Sequence, residues 1–151
     1  MDYSLIGPLV PGWGALYQGG AADPGIKSLP KPLWVVCMNR GEVDDSLVTQ
    51  DPIYGLTVIA IDDSPAAVLP DELVMAGAHA DARIMRGGCN LIAHCAAGVS
   101  RSSYRNLATI MLVRRLAFDQ ALAFLRQYRP QASPNPGFTA QLRRLEPVLL
   151  G

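Results

Sequence analysis

A cysteine and an arginine lie in one short segment whose residue types could bind and attack an anion. Cys95 follows His94, and Arg101 comes six positions after the cysteine. Inward-pointing backbone N–H groups in such a loop, together with the dipole of a following helix, favour a phosphate dianion. The same field favours a thiolate at Cys95, and the planar guanidinium of Arg101 can hold two phosphate oxygens. The sequence therefore predicts a phosphate-binding loop formed by Ala96, Ala97, Gly98, Val99, Ser100 and Arg101.

The elements that must position this loop are predicted on either side of it. An apolar run at 90–94 predicts a strand that ends directly before Cys95, and helical spacing begins near Arg101. Two further apolar, β-branched runs, at 33–37 and 56–61, predict strands covered on both faces, because their apolarity is continuous rather than alternating. Helical spacing is found at 70–86, 101–115, 118–128 and 138–149.

Strands interleaved with helices predict an α/β fold. We expect a single domain over residues 1–151, with a central, mostly parallel sheet of four or five strands and helices on both faces. Segments rich in proline and glycine are predicted to be loops between these elements, at 7–25, 30–32 and 130–137.

Composition limits the partners that this domain could have. The chain has 151 residues, 50% of them apolar, and a formal net charge of zero, so it offers no basic surplus for nucleic acid or an anionic membrane. No apolar stretch is long enough to span a bilayer, and the first residues lack the basic run of a signal peptide. Three cysteines and two histidines lack the spacing of a disulfide framework or a zinc site. We expect a cytoplasmic protein, monomeric and without a metal.

The residues around Cys95 complete a longer signature, His-Cys-x2-Gly-x2-Arg-Ser/Thr. With it, the chain resembles the protein tyrosine phosphatase superfamily, and within that superfamily the small, atypical dual-specificity branch. Other segments are similar to the same branch, so the resemblance covers nearly the whole chain. These segments are Leu16-Tyr17-Gln18-Gly19, Arg129-Pro130, Pro134-Asn135-Pro136-Gly137-Phe138, Gln141-Leu142 and Glu146.

The resemblance implies a role for each residue of the signature. Cys95 would attack phosphorus to give a phosphocysteine, while Arg101 and the loop amides stabilise the phosphate oxygens. Ser102 would assist departure of the thiolate in the second step, and His94 would support the loop through hydrogen bonds. These groups supply the nucleophile and stabilise the charge, so no metal or organic cofactor is implied.

The resemblance also implies a general acid, an aspartate on a loop about 30 residues before the cysteine. Asp62 and Asp63 both lie there, directly after the strand predicted at 56–61. Asp63 is preferred, because Ile59-Ala60-Ile61-Asp62-Asp63 can be aligned with the family pattern of an apolar residue at alternate positions before the aspartate. Asp62 stays open as the alternative.

Cys37 has two interpretations. It ends a predicted strand, where a buried cysteine is common. Its segment is also similar to one that carries a second cysteine near the active site in some family members. The alternative role is therefore a redox partner that forms a reversible disulfide with Cys95 after oxidation.

The variable loop residues carry no cation, which argues against highly charged phosphoinositides as substrates. The chain is also short for the recognition loop that deepens the pocket of classical tyrosine-specific enzymes. We expect a shallow pocket that accepts phosphotyrosine in proteins, and phosphoserine or phosphothreonine as further substrates. The alternatives are a catalytically silent domain that binds phosphoproteins, or a phosphatase of phosphoinositides or RNA 5′-phosphates. An arsenate reductase or a sulfur-transferring rhodanese is the third possible function. It ranks below the others because rhodanese-type loops lack the Arg-Ser ending.

Overall fold

A computed structural model describes residues 2–20, 24–39 and 53–151 of the chain. The described residues form a five-stranded sheet in the order β1-β2-β5-β3-β4. β1 pairs antiparallel with β2, and the other pairs are parallel, so the predicted mostly parallel sheet is confirmed. The strands are β1 (Tyr3–Pro8), β2 (Ala15–Gly20), β3 (Leu33–Asn39), β4 (Ile53–Ile61) and β5 (Asn90–Cys95).

The helices cover the two faces of the sheet unequally. One face packs against the apolar sides of five α-helices, and the other against a short 3-10 helix at Pro24–Ser28. Alternation along β5 divides the two cores, since Leu91, Ala93 and Cys95 belong to the larger one and Ile92 to the smaller. The α-helices are α1 (Asp71–Arg86), α2 (Arg101–Arg114), α3 (Phe118–Arg126), α4 (Pro136–Arg144) and α5 (Glu146–Leu150).

The predicted loop at 7–25 is wrong for its middle part, because β2 lies within it. The glycines of this strand do not form a turn. They allow Asp2 to approach the strand closely. A Cβ on Gly19 would lie 2.8 Å from the carbonyl oxygen of Asp2, and one on Gly20 would lie 2.5 Å from the Asp2 carboxylate. The composition of the segment therefore indicated a loop, although its glycines let the first residues of the chain pack against β2.

The helix predicted at 138–149 is two helices, α4 and α5, which meet at Leu145. Pro147 lies in the first turn of α5, where its missing N–H costs no hydrogen bond, whereas inside a continuous helix it would break one. Among the described residues, no helix has the length and apolarity needed to cross a membrane.

Candidate active site

The segment between β5 and α2 forms a tight loop because Gly98 adopts a left-handed conformation, with φ of +66°. A Cβ at Gly98 would overlap Nη2 of Arg129 and would lie 2.7 Å from the backbone carbonyl carbon of Gly19. Both the conformation and the space therefore require glycine. The N-cap residue of α2, Ser100, makes no side-chain hydrogen bond to the helix, so the N–H groups of its first turn can face an anion.

Cys95 lies at the base of this loop, buried, with its sulfur facing the first turn of α2. The backbone N–H of Ser102 donates to the Cys95 Sγ at 3.4 Å, and the Ser102 hydroxyl oxygen lies 3.3 Å from the same sulfur. A thiolate would keep the first contact and would accept from the hydroxyl in the second. The structure thus brings the predicted nucleophile and the predicted Ser102 together.

Arg101 joins the loop to the end of β4. Its Nη1 donates to the backbone carbonyl of Ile61 at 3.0 Å, directly before the two candidate acids. Its Nε is buried and has no hydrogen-bond acceptor among the described residues. A buried N–H without an acceptor is costly, so a phosphate oxygen would supply a missing partner.

The candidate acids are both exposed, and one of them contacts Asn135, which in turn contacts the loop. Nδ2 of Asn135 donates to Oδ1 of Asp63 at 3.0 Å, and the backbone N–H of Asn135 donates to the Ser100 hydroxyl at 2.9 Å. Asn135 also caps α4, since its Oδ1 accepts from the backbone N–H of Phe138 at 3.0 Å. One residue therefore links Asp63 to the phosphate loop, and the choice of Asp63 over Asp62 stays a prediction.

Gln18, Arg129 and Asn135 also contact the loop, although the sequence alone did not assign them to the site. Gln18 is buried and donates to the Gly98 carbonyl at 3.1 Å and to the Ser103 hydroxyl at 2.8 Å. In the sequence these residues stand out only because they lie in segments similar to the dual-specificity branch. That similarity does not indicate that they contact the loop, because they lie far from Cys95 in the sequence.

His94 and Cys37 are buried neighbours in the sheet. They are register partners in the parallel pair of β3 and β5. The side chains of Cys37 and His94 therefore point to the same face of the sheet. Cys95, the next residue along β5, points to the opposite face, away from Cys37. The Cys37 thiol donates to the Asn39 carbonyl at 3.7 Å. The Cys37–Cys95 disulfide stays a prediction.

Comparison with known proteins assigns this architecture to a family. Residues 36–147 match the family model "Dual specificity phosphatase, catalytic domain". The chain belongs to that family.

Particular relatives are similar to parts of the chain or to all of its fold. Dual specificity protein phosphatase 22-B of Danio rerio is 40% identical over 89 residues, which are 58% of this chain and 48% of that protein. Dual specificity protein phosphatase 15 of Mus musculus is 44% identical over 55 residues, 36% of this chain and 23% of that protein. The chain thus spans less than half the length of these curated relatives. The crystal structure of a variant of human DUSP28 superposes with a TM-score of 0.83 at 25% identity, covering 99% of this chain and 97% of that chain.

Proposed function

We propose that this domain is a cysteine-dependent phosphatase of phosphorylated proteins, with Cys95 as the nucleophile. One observation carries the proposal. The Cys95 sulfur accepts a backbone N–H at the start of α2, beside an arginine whose buried Nε has no acceptor among the described residues. A loop of this kind favours both a thiolate and a bound phosphate dianion.

In the first step the thiolate of Cys95 attacks phosphorus, the S–P bond forms, and the bond from phosphorus to the substrate oxygen breaks. Asp63 in its acid form gives its proton to the departing oxygen, which leaves as a neutral phenol or alcohol. Arg101 and the loop amides stabilise the charge on the three remaining phosphate oxygens. The intermediate is a phosphocysteine.

In the second step water attacks phosphorus, and the carboxylate of Asp63 accepts its proton. The S–P bond breaks, inorganic phosphate leaves, and Cys95 returns as a thiolate. The Ser102 hydroxyl lies 3.3 Å from the sulfur, where it can donate to the developing negative charge. Ser102 therefore serves the second step more than the first.

The loop surface supports phosphoproteins as the substrate class. Ala96 and Ala97 are the exposed residues of the loop, and neither carries a charge. A highly charged inositol phosphate would find no cation there, whereas a single phosphate on an uncharged tyrosine needs none beyond Arg101. Phosphotyrosine is the expected substrate, with phosphoserine and phosphothreonine as further ones. The monomeric state and the cytoplasmic location stay predictions.

Hydrolysis of p-nitrophenyl phosphate in the presence of EDTA tests the proposal. We expect turnover by the wild type and a loss of at least about a thousandfold in Cys95→Ser, because the thiolate is the nucleophile. Cys89→Ser is the matched control, since Cys89 is also buried but lies outside the loop. A wild type that binds tungstate but does not turn over would replace the proposal with a phosphoprotein-binding role.

A further inference from the structure

Arg129 is a buried cation that the proposed mechanism does not use. Its side chain is 1% exposed, and it follows α3 in the turn that leads towards α4. A guanidinium has five N–H donors, and the structure gives this one five acceptors. Nε donates to the Gly98 carbonyl at 2.6 Å. Nη1 donates to the Ser4 hydroxyl at 3.1 Å and the Gln18 carbonyl at 3.4 Å, and Nη2 to the Asp2 carboxylate at 2.8 Å and the Ala97 carbonyl at 3.3 Å.

Two of these acceptors are carbonyls of the phosphate loop. In a loop that binds an anion through its N–H groups, the carbonyl groups must point away from the anion. Arg129 binds the carbonyls of Ala97 and Gly98 from outside, and the backbone N–H of Ser133 binds the next carbonyl, that of Val99, at 2.9 Å. The outer side of the loop is therefore held by donors, which leaves the N–H side facing the site.

The charge of Arg129 is balanced by a residue next to the first strand. The Asp2 carboxylate forms an ion pair with Nη2 at 2.8 Å and is 53% exposed, whereas its partner is buried. The backbone of Asp2 is fixed as well, because its carbonyl accepts from the backbone N–H of Gly20 at 3.0 Å. The guanidinium thus bridges the edge of the sheet and the phosphate loop.

We propose that Arg129 is a positioning residue that holds the phosphate loop in its anion-binding conformation, with Asp2 as its counterion. The inference rests on the proposed function, since it concerns the same loop. Arg129 is buried behind the loop and touches its carbonyls, so it acts through the loop amides rather than on the substrate. A lysine could keep the charge but not the five directed bonds.

Arg129→Lys tests the inference through tungstate, a tetrahedral dianion that needs no turnover. We expect the dissociation constant for tungstate, measured by calorimetry, to rise about tenfold or more, because hydrogen bonds to two loop carbonyls are weakened. KM for p-nitrophenyl phosphate should rise in parallel. Arg143→Lys is the matched control, a surface arginine paired with Asp119 at 2.7 Å, and should leave tungstate affinity unchanged.

Asp2→Asn provides a second test, which separates positioning from long-range electrostatics. If Asp2 anchors Arg129, its neutralisation weakens tungstate binding by about threefold, as expected for a partly exposed ion pair. If Asp2 acts only through its negative charge, the same change tightens tungstate binding instead. Asp119→Asn, at an ion pair on the surface and away from the loop, is the control for removing one negative charge.

Two results would overturn the inference: unchanged tungstate affinity in folded Arg129→Lys, or tighter binding in Asp2→Asn. If Arg129→Lys does not fold, the Asp2→Asn result decides alone. A melting temperature that falls while tungstate affinity holds would mean that Arg129 stabilises the fold without positioning the loop. Failure of the proposed function looks different, because the wild type would then bind tungstate without hydrolysing an aryl phosphate.

Discussion

At the scale of single residues, two adjacent carboxylates compete for one role. Asp62 and Asp63 are both exposed after β4, but the amide of Asn135 donates to Asp63. A general acid matters most when the leaving group is a poor one, because a good leaving group departs without a proton. The nature of the substrate therefore provides a way to identify the acid.

Asp63→Asn should lower kcat/KM for phenyl phosphate, which reports the steps up to departure of the phenol, by about a hundredfold, since a positioned acid contributes on the order of that factor or more. The loss should be much smaller for an aryl phosphate with a highly acidic phenol. Steady-state rates across a series of aryl phosphates measure this dependence. Asp62→Asn is the matched control, and a larger leaving-group dependence in that variant would transfer the role to Asp62.

Gly98 is the residue on which the shape of the loop depends most. Its φ of +66° and the close approach of Arg129 Nη2 to the position that a Cβ would take both exclude a larger side chain. Gly88 has a positive φ too, of +96°, but a Cβ there would meet nothing within 4 Å. An alanine at Gly88 would therefore introduce backbone strain alone, whereas an alanine at Gly98 would introduce strain and a steric overlap.

Gly88→Ala should lower the free energy of unfolding by about 1–2 kcal/mol, the cost of a left-handed conformation for a residue with a Cβ. Gly98→Ala should cost more and should also abolish tungstate binding, because Arg129 and the loop must move apart. Urea unfolding and calorimetry measure the two effects. Equal stability losses with intact tungstate binding in both variants would contradict this account of the loop.

At the scale of elements, α4 contacts the segment 62–69, which begins with the two candidate acids. A Cβ on Gly137 would overlap the Pro65 carbonyl oxygen, so the helix and this segment are in direct backbone contact. One turn later, Nε2 of Gln141 donates to the Leu69 carbonyl at 2.6 Å. With Asn135 on Asp63, α4 contacts this segment at three places along its length.

Asn135→Ser should separate the cap of α4 from the contact with Asp63. Serine can still accept from the Phe138 N–H, but it lacks the Nδ2 donor. We expect kcat/KM to fall about tenfold for phenyl phosphate and to change little for a substrate with a highly acidic phenol. In the double variant with Asp63→Asn the two losses should not add. Equal loss for both substrates would indicate a general folding defect instead.

At the scale of the whole molecule, the sequence predicted the elements that have a local pattern better than those whose residues serve contacts with distant parts of the chain. The strand before Cys95 and the helix from Arg101 were predicted because apolar runs and helical spacing are local patterns. β2 was missed, since its glycines serve contacts with Asp2, which composition does not reveal.

The same limit applies to the site. Cys95, Arg101 and Ser102 are close in sequence, so one motif could identify them. Gln18 and Arg129 reach the Gly98 carbonyl from 80 and 31 positions away. A single sequence provides no local signal for contacts of that kind, because they depend on how the sheet and helices pack.

A contact between α1 and α4 predicts how stability depends on pH. Hydrogen bonds from Arg144 and then Gln141 lower the pKa of Asp71 to about 2. Because the folded pKa lies below the unfolded value, the carboxylate stabilises the fold above pH ~4, and this contribution is lost as the pH falls through about 2.

Asp71→Asn should therefore lower the melting temperature by about 2–4 °C at neutral pH, an effect typical of a modest surface interaction. The difference from the wild type should shrink as the pH falls from about 4 to about 2. Melting curves across this range measure it, with Glu72→Gln in the same helical turn as the control. A difference that stays constant with pH would contradict the role of the charge.

In the proposed mechanism Cys95 carries the phosphate during turnover. The most direct test is a denaturing quench of Ser102→Ala during hydrolysis of p-nitrophenyl phosphate, followed by mass spectrometry of the peptide that contains Cys95. Because Ser102 is expected to assist release of the thiolate, we predict that this variant accumulates phosphate on the Cys95 sulfur. Continued turnover with no phosphate on Cys95, or with phosphate on another residue, would contradict the account.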